Sequence, residues 1–338
     1  MLEKDTLFGK TLDELRLIVN ELGMPKYTAN QIANWLYKKN ISDISQMTDI
    51  SANYRAILTE KYSLGVFPPL NYQISSDGTK KYLFRLGEKK FIETVFIPDE
   101  DKGTLCVSSQ VGCKMGCLFC MTGKQGFQKN MNAAEIVNQI YSIDLREKVK
   151  NIVYMGMGEP FDNLKEVLKS LDILTSEWGF AFSPRRITVS TIGVIPAMVE
   201  FIEKNRCNLA VSMHSPFDEE RRKLMPIQNV YTIKDVVDVL KKYDWSGQRR
   251  VSFEYIMFKD LNDTKAHLNE ISKLLKGLKC RVNLIKFHSI PSSPLQGSDE
   301  KKMFEFRDEL TKKGVFTTIR KSRGEDILAA CGQLRASN

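Results

Sequence analysis

Three cysteines spaced C-x3-C-x2-C, in Cys113-Lys-Met-Gly-Cys117-Leu-Phe-Cys120, concentrate more chemistry than any other stretch of the sequence. Three thiolates so placed can hold three irons of a cubane cluster, and the lack of a fourth cysteine nearby leaves one iron open to a ligand. A zinc site would want a fourth Cys or His close at hand, and the nearest histidine in sequence is His214. A disulfide framework fits poorly with seven cysteines in 338 residues and no secretory signal. An electron-transfer protein would use four cysteine ligands per cluster.

Other reactive residues are scattered along the chain. Cys106 falls in a predicted strand and Cys331 in Ala-Ala-Cys-Gly-Gln-Leu, where each by itself reads as a small packed thiol. In Gly156-Met-Gly158-Glu159-Pro160 the glycines free a backbone edge and Glu159 offers a carboxylate to an ammonium group, while Pro160 starts the next helix. Glu93 interrupts the apolar run Ile92, Val95, Ile97; a partly desolvated carboxylate there suits a general base, although a strand carboxylate more often faces water. Cys207 and Cys280 fit no motif and read as core.

The elements that must position these residues follow from periodicity. From Thr104 onward short apolar strands alternate with helices, the pattern of βαβ units on a parallel sheet. Strands are predicted near 104–109, 151–156, 186–191, 208–213, 250–257, 281–287 and 315–320. Helices are predicted near 133–145, 162–178, 195–205, 232–243, 264–276 and 299–313. Ligand chemistry on such sheets sits at the C-terminal strand ends, where the motifs above fall. Upstream, residues 11–22 read as a helix with Thr11 as cap and Glu14 three residues on; a second helix starts near Thr28 and a third spans Ser51 to Glu60. Between Leu70 and Pro98 the alternation changes to a β meander with Ser-Asp-Gly and Gly-Glu-Lys turns. The expected domains are a helical accessory region 1–65, a meander extension 66–100 and an α/β core 101–338.

Composition sets the bounds. Hydrophobic content of 42% with 27% charged residues is that of a soluble globular protein, and no apolar run is long enough to span a bilayer. The start, Met-Leu-Glu-Lys-Asp, is too polar for a signal peptide, so the cytoplasm is the expected compartment. A net charge of +9 suits a polyanionic partner such as RNA, because basic groups on phosphates release counterions. Lys26, Lys38, Lys39 and Lys61 in the helical region could face RNA or simply water.

The cysteine spacing resembles that of the radical S-adenosylmethionine superfamily. Three surrounding motifs narrow the likeness: Cys106-Val-Ser-Ser-Gln-Val-Gly-Cys113, the Gly156–Pro160 turn, and Arg323-Gly-Glu-Asp-Ile-Leu-Ala-Ala-Cys331-Gly-Gln-Leu. Together they resemble the RlmN and Cfr group of RNA adenine methyltransferases, over most of the chain. The resemblance implies a partial (β/α)6 barrel, a [4Fe-4S] cluster on Cys113, Cys117 and Cys120, and S-adenosyl-L-methionine chelating the open iron. It assigns Gly158, Glu159, Ser190, Ser212, Met213 and His214 to cofactor binding. His288 joins them, although the group commonly has asparagine there. Ser190 and Ser212 would otherwise read as strand-end hydroxyls satisfying backbone groups.

The same resemblance implies a division of labour among the remaining residues. Cys331 accepts a methyl group to become S-methylcysteine, and a radical made from a second cofactor removes hydrogen from that methyl. The carbon then adds to adenine, Glu93 takes the proton, and Cys106 attacks the Cys331 sulfur, leaving a disulfide. Gln125-Gly-Phe127, Arg323–Asp326 and Val111 resemble the branch that methylates adenine C2; Ser183-Pro-Arg-Arg and Leu224-Met-Pro-Ile also resemble the C8 branch, Cfr, associated with antibiotic resistance. Expected partners are 23S rRNA, tRNA and a low-potential electron donor of flavodoxin or ferredoxin type, with no membrane. A non-catalytic RNA-binding protein with structural zinc is the rival.

Overall fold

The structure is a computed structural model and describes residues 4–291 and 293–335. It begins with β1 (Asp5–Thr6), α1 (Leu12–Glu21), α2 (Thr28–Tyr37), α3 (Ala52–Lys61) and β2 (Tyr62–Ser63). The start of α1 is fixed reciprocally: the Thr11 hydroxyl accepts the Glu14 N–H at 3.3 Å and the Glu14 carboxylate accepts the Thr11 N–H at 2.7 Å. β1 and β2 form a parallel clasp, too short to show any period in the sequence. These helices share one hydrophobic core with the rest of the chain. Tyr141 Oη accepts the Ile41 N–H at 2.8 Å, and Lys169 pairs with Glu14 at 2.7 Å.

The meander is β3 (Asn71–Ile74), β4 (Lys80–Arg85) and β5 (Phe91–Asp99), joined antiparallel to β6 (Lys102–Cys106). It is therefore the outer part of the main sheet. β7 (Gln110–Gly112), α4 (Met121–Gln125) and β8 (Phe127–Asn130) follow, with β7 and β8 closing the base of the cysteine loop as a small ladder. Then come α5 (Ala133–Tyr141), β9 (Val149–Tyr154), α6 (Leu164–Thr175), β10 (Ile187–Thr191), α7 (Ile195–Lys204), β11 (Asn208–Ser212), α8 (Asp218–Leu224) and α9 (Ile233–Leu240). β12 (Val251–Met257), α10 (Lys265–Leu274), β13 (Arg281–Lys286), α11 (Glu300–Lys312) and β14 (Phe316–Ile319) complete the order.

Among the described residues the main sheet has ten strands in the order β14-β13-β12-β11-β10-β9-β6-β5-β4-β3. From β6 to β14 all neighbours are parallel. β14 and β3 are edges, so the α/β barrel is partial, as expected. β12 is buried along its whole length, as a central parallel strand covered on both faces must be. Where the sequence predicts one helix over 162–178, the chain makes a 3-10 turn at Pro160–Asn163 before α6, because Pro160 lacks an N–H and Glu159 caps the turn. No helix among the described residues is long and apolar enough to cross a membrane.

Candidate active site

Crossover connections carry every core strand in the same direction, so the ends of β6, β9, β10, β11 and β12 open on one side of the sheet. They line a cavity of about 190 Å³ that brings Cys106, Cys113, Cys117, Cys120, Glu159 and Cys331 together. Residues separated by more than two hundred positions thus meet in one place.

The cysteine loop is held shut at its base, where Cys113 N–H donates to the Gly126 carbonyl at 3.1 Å. Gly112 has φ +73, and a Cβ there would lie 1.7 Å from that same oxygen, so no other residue fits. Burial pushes the Cys113 thiol up to about 12 and Cys117 well above its usual value, with Cys120 adding to both. Thiols this reluctant to ionise become thiolates when bound iron supplies positive charge. Phe119 is buried beside them, edge-on to His214 at 4.6 Å between centroids.

The Gly156–Pro160 turn is equally constrained. Gly158 has φ +100, and a Cβ would come 2.5 Å from Gln110 Cβ. Gln110 Oε1 accepts the Glu159 N–H at 2.8 Å while its Nε2 donates to Asn130 and Asp162, also at 2.8 Å. The Glu159 carboxylate accepts N–H groups from Phe161 at 3.1 Å and Ile192 at 3.0 Å. Burial pushes it up to about 7 against the lowering effect of Thr191 and those N–H groups. Glu159 thereby ties the turn to the end of β10, and the spare lone pairs of its oxygens are what it offers the cavity.

Ser190, Ser212 and His214 line the same cavity. His214 Nδ1 accepts the Ile256 N–H at 3.0 Å, which fixes the proton on Nε2, and burial pushes the ring down to about 3. Met213 and His288 are not among the side chains that line this cavity. Met213 points away from the cavity and is fully buried in the main core, as alternation along the chain after β11 requires. His288 is not among the cavity residues: its Nε2 lies 2.7 Å from Ser322 Oγ and its Nδ1 3.5 Å from Glu325, so it fastens the loop that leads to Cys331. The strand that carries it, β13, ends at Lys286, and the chain has turned off before His288.

Cys106 and Cys331 face one cavity. Burial pushes Cys106 up to about 12, the nearby Cys331 adding to the rise and Arg320 opposing it. Cys331 belongs to an exposed residue, yet its thiol is withdrawn enough for burial to push it up to about 11, again against Arg320. All seven cysteines are free thiols. Cys207 is fully buried and Cys280 packs against the core, as expected. Glu93 lies on β5 outside this cavity, in a neighbouring one of about 360 Å³ shared with Lys81 and Arg335. Its Oε1 pairs with Lys81 Nζ at 3.0 Å and its Oε2 accepts the Arg335 N–H at 2.9 Å. Glu93 is thus held as a buried ion pair, not as the isolated carboxylate that its apolar neighbours suggest.

Comparison with known proteins agrees with this geometry. The family model described as the Radical SAM superfamily matches residues 107–271, and that described as the Ribosomal RNA large subunit methyltransferase N-terminal domain matches residues 6–64. A Phocaeicola vulgatus protein named "Probable dual-specificity RNA methyltransferase RlmN" is 56% identical, over 98% of this chain and 95% of its own. A Syntrophus aciditrophicus protein named "Dual-specificity RNA methyltransferase RlmN" is 41% identical, over 96% and 94%. The chain belongs to the RlmN family. A solved structure of a radical SAM methyltransferase from Sphaerobacter thermophilus superposes with a TM-score of 0.92 at 39% identity, covering 98% of this chain and 100% of that one.

The family uses a [4Fe-4S] cluster and S-adenosylmethionine, and the chain is a radical SAM methyltransferase. The residues present fit both. The three loop thiols line one cavity, where each could hold a separate iron of one cluster. Beside them lie the fixed Gly158–Glu159 edge and the hydroxyls of Ser190 and Ser212.

Sequence reasoning missed Arg221. It is fully buried at the ends of β10 and β11, donating to the carbonyls of Ile192, Met213 and Ser212 at 2.9, 3.2 and 3.1 Å and to Gln228 Oε1 at 2.5 Å. It lies in an Asp-Glu-Glu-Arg-Arg-Lys run that reads as a solvated helix face. Gln110, Lys81 and Glu254 were missed for the same reason: only the fold buries them.

Proposed function

We propose that this chain methylates C2 of adenosine in RNA, in 23S rRNA at the peptidyl-transferase centre and in tRNA at the adenosine 3′ of the anticodon. The observation that carries this reading is the meeting of Cys106 and Cys331 on the cavity of the cysteine triad. The names of the relatives support the two RNA substrates.

Cys113, Cys117, Cys120 and the Gly158–Glu159 edge would hold the cluster and cofactor, which would supply the methyl group, a carbon-centred radical and the acceptor for the one electron left after the radical adds to the base. The chain's own residues do the rest. Cys331, an exposed residue that lines the cavity, carries the methyl on its sulfur, within reach of an incoming RNA base. Glu93, paired with Lys81, takes the proton from the base. Once the sulfur-borne carbon is bonded to the base, Cys106 attacks the Cys331 sulfur as a thiolate: the S–S bond forms, the sulfur–carbon bond breaks with its electron pair, and the released carbon takes up a proton to become the methyl of the product; the Arg320 guanidinium near both sulfurs favours that thiolate. Leu334 lines the cavity of the cysteine triad and the next residue, Arg335, lines the one that holds Glu93, so the two cavities adjoin at this stretch of chain.

The N-terminal region presents Lys26, Lys38, Lys39 and Lys61 at its surface, available to RNA phosphates. A low-potential donor of flavodoxin or ferredoxin type reduces the cluster, and the cytoplasm is where it and both RNAs meet. The deciding experiment is mass and NMR analysis of adenosine from rRNA and tRNA treated with anaerobically reconstituted protein and cofactor. A methyl on C2 in both RNAs is the expected result; a methyl on C8 would replace this reading with the Cfr type, and zinc without sulfide in the protein would end it.

A further inference from the structure

Arg221 is carried on α8 with its side chain fully buried, and every acceptor it bonds to is neutral. Its Nη2 donates to the Ile192 and Ser212 carbonyls at 2.9 and 3.1 Å, and its Nε to the Met213 carbonyl at 3.2 Å. Its Nη1 donates to Gln228 Oε1 at 2.5 Å and to the Tyr231 carbonyl at 3.4 Å. The acids of its own helix are engaged elsewhere: Asp218 is exposed and accepts from Gln228 Nε2 at 2.7 Å, Glu219 pairs with Arg222, and Glu220 bonds to His267. Among the described residues no carboxylate forms an ion pair with Arg221. Its hydrogen-bond donors have partners but its charge does not, and a buried cation without a counter-charge is costly.

The cysteine loop packs against this helix. The Leu224 carbonyl at the end of α8 accepts the Leu118 N–H at 3.0 Å, and Leu118 follows Cys117 in the chain. Leu224, Ile192 and Cys117 share one apolar cluster, and a Cβ on Gly116 would stand 3.7 Å from Pro226 Cγ. Burial pushes the Arg221 guanidinium down to about 10, and of the charges that oppose this fall the Cys117 thiolate acts more strongly than Asp218. Arg221 does not line the cavity, so neither cofactor nor RNA reaches it.

We propose that Arg221 is the resident counter-charge of the iron–sulfur cluster and raises its reduction potential. The inference rests on the assignment of the cluster to Cys113, Cys117 and Cys120. With the cluster held there, the three thiolates make its oxidised form a net anion, and the electron it takes up deepens that charge. A fixed positive charge behind Cys117 favours the more negative state, and net charge is one of the quantities that set such potentials. The step concerned is the transfer of one electron from the low-potential donor, which is oxidised as the cluster is reduced; no bond forms or breaks.

The test is the midpoint potential of the cluster, read by electron paramagnetic resonance in a redox titration of the anaerobically reconstituted protein without S-adenosylmethionine. Arg221→Gln keeps hydrogen-bond donors but loses the charge, and shifts the one-electron equilibrium against the reduced cluster about ten-fold or more, a potential lower by about 59 mV. Arg221→Lys keeps the charge with fewer donors, and stays within about three-fold of wild type. Gln228→Glu leaves Arg221 in place and sets a carboxylate of similar size against it. That pairing also lowers the potential, and it decides the matter if the Arg221 variants assemble no cluster. Equal shifts in Arg221→Gln and Arg221→Lys would overturn the proposal, leaving Arg221 as a hydrogen-bonding clasp between strand ends. A potential unchanged in Arg221→Gln or in Gln228→Glu would overturn it as well. Wild-type protein without iron and sulfide would overturn the cluster assignment itself, a separate failure, and this inference with it.

Discussion

Lys81→Met is the most informative perturbation outside the cavity. Lys81 and Glu93 side chains are 10% and 8% exposed and pair at 3.0 Å. Removing one member of a buried pair leaves the other charge without compensation, at about 3–5 kcal/mol. The Arg335 N–H, 2.9 Å from Glu93 Oε2, still offers one charge-assisted bond, so a loss near the lower end, about 3 kcal/mol, is expected. Against a whole-chain stability of about 5–15 kcal/mol that loss is large. Glu93→Gln leaves the Lys81 ammonium without its buried counter-charge, with the Leu328 carbonyl at 3.5 Å as its remaining partner among the described residues, and costs a comparable amount. The double variant recovers much of both losses, with a coupling of about 2 kcal/mol. Chemical denaturation followed by tryptophan fluorescence reads all four corners of the cycle. Lys81→Met also separates two halves of the reaction: methyl loading of Cys331, read by peptide mass, persists, while RNA methylation falls. A Lys81→Met protein within about 1 kcal/mol of wild type, or a coupling near zero, would show that the pair does not form in solution and that Lys81 does not position the proton acceptor.

Cys106→Ala should trap the protein bonded to RNA, seen as a slow-migrating band on denaturing gels, and recovery of free protein alone would remove Cys106 from the release step. Cys331→Ala should give no methylated RNA, and normal product would discard the carrier role. Gly158→Ala places a Cβ 2.5 Å from Gln110 Cβ at φ +100, so it should weaken cofactor binding at least ten-fold in a protein that still folds, as measured by calorimetry and circular dichroism. His214 is held down to about 3 from an ordinary 6.5, so its share of stability is complete above pH 6.5 and drains away as the pH falls toward 3. That share amounts to about 2 kcal/mol lost between pH 7 and pH 5, a slope that His214→Asn should abolish in denaturation curves taken across that range.

How far the sequence could be read depended on whether a residue's meaning is local. The three cysteines, the Thr11–Glu14 cap and the alternation of strands with helices are local patterns, and each has its counterpart in the structure. The β1–β2 clasp is two residues on each side and carries no period. Met213 and His288 each sit beside residues that line the cavity, but chain proximity does not set side-chain direction. Alternation sends Met213 into the core, and the turn after β13 carries His288 to Ser322 and Glu325.

What the sequence alone determined is the kind of chemistry, because ligand type and spacing within one loop are covalent facts that no fold can rearrange. Tertiary structure decided which distant groups share a cavity: Cys331 with Cys106, Glu254 with Ser212, and Lys81 with Glu93. Those pairings depend on strand register and on burial, and both arise only when the whole sheet closes and water leaves its inner face.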